Sequence, residues 1–206
     1  MPQAREDNES GKGPLNPTQQ VLAALGANLD SVAGPPRATL LAAIEMLAAA
    51  GLVIRAVSPF YRTPAFPAGS GPDYVNAALV IETAMTPQQV LAQFHEIEAS
   101  MGRERVQRWG QRTLDIDLLA FDDHVLPEIA EFRRWQTLLP SEQVAQTPDQ
   151  LILPHPRIQD RAFVLVPLAD IAPDWLHPVL DQTIQQLLDR IPQAEKDEVQ
   201  MLESAL

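Results

Sequence analysis

The chain has 206 residues, is 46% hydrophobic, and sets 15 basic against 27 acidic side chains for a net charge of -12. That length suits one buried core, and the acidic balance argues against an extended nucleic-acid or anionic-membrane surface, so any local basic cluster becomes informative. The absence of cysteine excludes a disulfide framework and thiolate metal sites, and with no apolar leader or spanning run the chain reads as soluble and cytoplasmic.

Residues 1–17 are polar, with Gly, Pro and Asn, and have the composition of a disordered tail, so order is expected to begin near Thr18. QVLAALGANL then opens as an apolar strand ending at Gly26. Across residues 37–50, Leu40, Leu41, Ile44, Leu47 and Ala48 recur at helical spacing, and Gly51 stands where a left-handed cap belongs. Residues 52–61 (LVIRAVSPFY) and 74–83 (YVNAALVIET) read as strands around a Gly- and Pro-rich loop. Thr86, Pro87 and Gln89 form a capping box ahead of a second helix carrying Val90, Leu91, Phe94, Ile97 and Met101. TLDIDLLAF alternates as a strand, and residues 128–150 form a long polar connection, read as an excursion in which Trp135, Leu138 and Leu139 pack locally. A short helix is expected from Pro167 to Ile171 and another across residues 183–191, with the tail from Gln193 frayed. The order strand, helix, strand, strand, helix, strand predicts an α/β (α+β) fold: one ferredoxin-like βαββαβ antiparallel sheet with helices on one face, spanning residues 18–192.

Asp115 and Asp117 lie two apart in a strand, so their side chains share a face, with Cα atoms roughly 6.6 Å apart, while Leu114, Ile116 and Leu118 turn to the core. Paired carboxylates suit Mg²⁺, which leaves positions for water and substrate phosphates; the spacing alone equally fits a solvated acidic strand face. Arg103, Arg105, Arg108 and Arg112 cluster just upstream in an acidic protein, and guanidinium forks match phosphate oxygens. Trp109 beside them is either an anchor or a lid aromatic. His155 sits between prolines with Arg157 and Arg161 close behind, and can donate to phosphates or serve structure. Tyr74 and Asn76 share a strand face, offering an aromatic plane and an amide able to read a heterocycle, with Phe163 a candidate second plane. Glu98 borders the apolar face of the second helix and is either solvated or held by an arginine.

In order along the chain, LGANL, FYRTP, PDYVNAA, RWGQRTLDIDLL and LPHPRIQDRAFVLVPL resemble the 6-hydroxymethyl-7,8-dihydropterin pyrophosphokinases of folate biosynthesis, over residues 20–173. The resemblance implies a ferredoxin-like monomer that moves pyrophosphate from ATP to the pterin's hydroxymethyl oxygen, releasing AMP, with two Mg²⁺ ions and no nucleic-acid or membrane partner. By that matching Asp115 and Asp117 hold metal, and Tyr74 and Phe163 sandwich the pterin. Asn76 bonds the pterin, and Thr63, Pro64 and Phe66 line its pocket. Glu98, Arg105, Arg108, Trp109, Arg112, His155 and Arg161 match ATP-site positions, Arg103 belongs to a mobile catalytic loop, and Arg103 and Arg112 count as catalytic. The chain departs from the family pattern at Ala27, where serine is common, at His95, where glutamine contacts nucleotide, and at Pro156, where tyrosine is frequent. A nucleotidyltransferase would also place alternating aspartates on a strand, and a non-catalytic nucleotide-binding module would show the arginines without turnover; the phosphorus products separate the three.

Overall fold

Residues 21–25 (VLAAL) and 77–81 (AALVI) are apolar without a break, and strands lacking polar alternation need cover on both faces. The computed structural model describes residues 18–65, 69, 71–103, 112–139, 142 and 146–203. In chain order its elements are β1 (Gln19–Ala27), α1 (Pro36–Ala49), β2 (Val53–Val57), β3 (Tyr61–Thr63), β4 (Tyr74–Thr83), α2 (Pro87–Ser100), β5 (Asp115–Phe121), α3 (Ile129–Gln136), α4 (Ala162–Ile171), β6 (Leu176–His177), β7 (Gln182–Thr183), α5 (Ile184–Arg190), α6 (Gln193–Asp197) and β8 (Gln200–Met201). The main sheet runs β5-β1-β4-β3-β8, with β2 also on β4, and every pairing is antiparallel. The expected mixed α/β fold with a βαββαβ core is present.

Helices cover both faces rather than the one expected. Val21, Ala23, Leu25, Leu79 and Ile81 pack with Leu40 and Leu47 of α1 and Val90 and Phe94 of α2. On the reverse face, Leu22, Ala78 and Val80 meet Leu165 and Leu168 of α4 and Ile184 and Leu187 of α5. The physical reason lies in those unbroken apolar runs, whose even and odd positions each require a partner layer. Among the described residues, no helix is long and apolar enough to cross a membrane.

Local signals place several ends. The Thr86 and Gln89 capping box closes as expected, and Thr183 with Gln186 forms a second one at α5. Gly51, at φ 88°, donates to Ala48 O, and Leu52 N donates to Leu47 O, the paired bonds of a left-handed helix stop.

Four other expectations change. Residues 52–61 split into β2 and β3, because Ser58 turns the chain there: its N–H donates to Ala78 O and its Oγ accepts from Ala78 N. The polar connection contains α3, whose Phe132 and Trp135 are buried with Ile152, while Leu138 packs beside them and Leu139 stays exposed. Helix α4 begins at Ala162, so Pro167 is interior and leaves Phe163 O without its usual helical partner. The segment after Ile191 forms α6 and β8 rather than fraying.

His177 is fully buried against Phe132 and Trp175. Its Nδ1 accepts from Val179 N and Leu180 N, and burial pushes its pKa down to about 4 from 6.5. The folded form thus keeps it neutral while the unfolded chain takes a proton below pH 6.5, so stability present above 6.5 is lost as pH falls toward 4. The loss is about 3 kcal/mol at most. Urea midpoints at pH 7 and pH 5 should differ less in His177→Asn, whose amide oxygen can take over the Nδ1 bonds, than in the native chain; equal differences would refute this.

Candidate active site

Asp115 and Asp117 open β5, which lies at one edge of the sheet against β1. Both point to the face covered by α4, while Ile116 and Leu118 enter the opposite core. Leu119 has no partner on β1, since Leu22 pairs with Ala120 and Ala23 with Leu118; at this bulge its carbonyl accepts from His155 N at 2.7 Å. The bulge thereby anchors the segment that ends in Arg161. Arg161 lies 3.6 Å from Asp117 and 5.6 Å over the Phe163 ring.

Arg103 is delivered by the end of α2. Gly102, at φ 81°, donates to Ala99 O and Arg103 N donates to Glu98 O, so the same helix stop seen at Gly51 sets the arginine's backbone. The Arg103 guanidinium then pairs with Glu98 and lies 2.6 Å from Asp115. Arg112 pairs with the other Asp115 oxygen. Glu98 is buried, and it accepts from Ile116 N at 2.8 Å, which satisfies an outward N–H on the edge strand.

Burial raises the Asp115 carboxyl above the usual carboxylate range, and Asp117 raises it further, against Arg112 and Arg103. Asp117 is the more exposed of the two, at 35% against 18%, so it is the carboxylate more open to a ligand. Two mutually repelling carboxylates whose ion-pair partners among the described residues are arginines are a donor set a divalent cation fits. Among the described residues no third His, Asp or Glu joins them, which suits Mg²⁺, an ion that takes one or two carboxylates and completes its shell from water and phosphate. His155 is half-buried, and burial, then Arg161 and Arg157, push its pKa down to about 3. Its Nδ1 accepts from Arg157 N, so the neutral ring carries its proton on Nε2 as a donor.

A second, less charged group of side chains lies on β4 and β3, across β1 from the aspartates. Tyr74 and Asn76 sit on β4 opposite Thr63 and Tyr61 of β3, and the buried Asn76 donates from Nδ2 to Thr63 Oγ1 at 2.7 Å. Burial raises the Tyr74 phenol, with Arg112 lowering it and Asp115 raising it, and the two groups of side chains are separated by the width of β1, where Gly26 pairs with both Asn76 and Asp115. Phe163 stands 39% exposed at the start of α4, and Pro64 follows β3 on the surface. The sequence-derived positions Phe66, Arg105, Arg108 and Trp109 lie outside the described residues.

Two residues at this site were not singled out by sequence reasoning. Gly26 pairs with Asn76 on one side and Asp115 on the other, and a Cβ there would stand 2.9 Å from Asn76 Oδ1. Buried Asn28 accepts from Arg112 N at 2.9 Å and donates to Pro72 O at 3.1 Å, tying the segment that leads into β5 to the turn before Tyr74. The run LGANL contains both residues; only pairing across three strands reveals what they touch.

The model of the family described as 7,8-dihydro-6-hydroxymethylpterin-pyrophosphokinase (HPPK) matches residues 22–173. A 2-amino-4-hydroxy-6-hydroxymethyldihydropteridine pyrophosphokinase of Synechocystis sp. is 36% identical over 185 residues, covering 86% of this chain and 82% of its own. Its counterpart in Methylorubrum extorquens is 37% identical, covering 81% and 90%, and that of Pseudomonas aeruginosa is 38% identical, covering 78% and 85%. A solved Plasmodium falciparum HPPK-DHPS structure superposes with a TM-score of 0.60 at 18% identity, covering 90% of this chain and 47% of that one, and it supports the fold alone. Sequence and fold agree, and the chain belongs to the 7,8-dihydro-6-hydroxymethylpterin-pyrophosphokinase family.

Proposed function

We propose that Asp115 and Asp117 hold the Mg²⁺ at which this pyrophosphokinase moves the terminal diphosphate of ATP onto 6-hydroxymethyl-7,8-dihydropterin, in folate biosynthesis. The observation that carries this reading is the half-buried, self-repelling aspartate pair faced by Arg103, Arg112 and Arg161. Two Mg²⁺ ions, when bound, would neutralise phosphate charge and raise the electrophilicity of phosphorus.

The chain's own residues do the rest. Tyr74 and Phe163 clamp the pterin ring, and Asn76 bonds its edge. Thr63 fixes the Asn76 amide, with Pro64 and Phe66 at the rim. The pterin hydroxyl oxygen bonds to the β-phosphorus as the bond from that phosphorus to the bridging oxygen of AMP breaks, and the hydroxyl proton leaves to water. Arg103 and Arg112 exchange Asp115 for the phosphates as charge develops, the role guanidinium groups play in other phosphoryl transfers. Arg161 and the Nε2–H of His155 hold phosphate oxygens, with Arg105, Arg108 and Trp109 closing over the nucleotide. Glu98 supports ATP binding through Arg103 and the first residues of β5. The reaction runs on a cytoplasmic monomer, with a catalytic domain that begins at residue 18 and extends past the expected boundary at 192 to include β8, which pairs with β3 in the main sheet.

Phosphorus NMR of a turnover with ATP, Mg²⁺ and the hydroxymethyl-dihydropterin tests this: AMP and a pterin diphosphate support it, while release of inorganic pyrophosphate with a nucleotidylated acceptor overturns it. Gly26→Ala gives a sharper check on the pterin pocket. The added methyl displaces Asn76 Oδ1, so the KM for pterin should rise about tenfold, the value of one hydrogen bond. An unchanged pterin KM would contradict the placement of Asn76.

A further inference from the structure

Strand β3 has three residues, yet it supplies Thr63 and leads into Pro64. So short a strand has little order of its own. Its inner edge pairs with β4 through Tyr61, Arg62 and Thr63. Its outer edge pairs with β8, Tyr61 opposite Met201 and Arg62 opposite Gln200. Leu202 N donates to Phe60 O at 2.7 Å, and Arg62 Nη2 donates to Gln200 Oε1 at 2.6 Å. The same Arg62 lies 3.9 Å from Asp73, the residue before Tyr74. From the α4 side, Tyr61 OH donates to Asp170 Oδ2 at 2.5 Å. Val199 is buried in the core beneath α4, which sets the approach of β8.

We infer that β8, which lies beyond the family-matched residues 22–173, is a positioning element for pterin: it locks β3 so that Thr63 and Asn76 keep their alignment. This rests on the pterin-pocket reading above. Antiparallel addition at a sheet edge fixes backbone by main-chain bonds, and the exposed Gln200 adds a side-chain bond from Arg62, so loss of either loosens β3.

The test is made in the full chain by comparing Leu202→Pro, which removes the N–H donated to Phe60, with Leu202→Ala, which keeps it. Leu202→Pro should raise the KM for pterin about fivefold with kcat and the KM for ATP within twofold, and Leu202→Ala should match the native enzyme. Equal pterin KM values in the two variants, or an equal rise for ATP, would overturn the inference. Should Leu202→Pro not fold, Gln200→Ala carries the same direction of change and the same refutation. Thr63→Ala is the control: a raised pterin KM there with none in Leu202→Pro removes this inference alone, whereas an unchanged KM in Thr63→Ala removes the pocket assignment and the inference with it.

Discussion

Asp115→Ala and Asp117→Ala are each expected to lower kcat by on the order of 10³-fold or more, since on the proposed reading each removes a charge that would hold the phosphate-bound cation where bonds form and break. Their effects on stability should differ. Asp115 sits between Arg103 and Arg112, and its loss leaves two guanidinium groups facing each other in a half-buried site, which destabilises the fold. Asp117 pushes the Asp115 carboxyl upward, so Asp117→Ala relieves repulsion and should leave the melting temperature without Mg²⁺ unchanged or higher. ATP with Mg²⁺ is expected to raise the melting temperature of the native chain and of neither variant. AMP release and thermal melts measured with and without Mg²⁺ read these outcomes together. Native-like turnover in either variant would sink the metal assignment.

Glu98→Ala should be among the most damaging single changes outside the reacting groups. The carboxylate is buried, it takes the N–H of Ile116, and it pairs with Arg103. Deleting it strands the buried N–H of Ile116 and leaves the half-buried Arg103 with Asp115 as its remaining described partner, at about 3 kcal/mol. It also frees Arg103 from α2, so kcat should fall together with stability. Glu98→Gln keeps an oxygen for Ile116 N while losing the charge, and should recover part of the stability but little of the rate. Urea unfolding beside kcat separates the two roles; a cost below about 1 kcal/mol for Glu98→Ala would show that Ile116 and Arg103 do not depend on it.

Much of this architecture was legible locally. The capping box at Thr86, the glycine stop at Gly51 and the alternation of Asp115, Ile116, Asp117 and Leu118 all act within a few residues. Helix α3 was hidden because Phe132 and Trp135 are spaced as one helical face inside a stretch whose composition is polar, so a two-residue stripe had to stand for a helix. Strand β8 left no periodic trace, since two residues cannot show a period. The break between β2 and β3 depends on Ser58 bonding to Ala78, twenty residues along the chain.

The sequence by itself determined the kinds of elements, their order, the side of β5 on which its aspartates lie, and, through resemblance, the chemistry to expect. Those follow from short-range periodicity and from residue types that suit phosphate and a divalent ion. The tertiary fold was needed to show that helices cover both faces, that Glu98 joins Arg103 to Ile116, that Gly26 leaves room between Asn76 and Asp115, and that β8 pairs with the outer edge of β3. Each of these is a pairing between residues far apart in sequence, and such pairings depend on strand register and packing rather than on local preference.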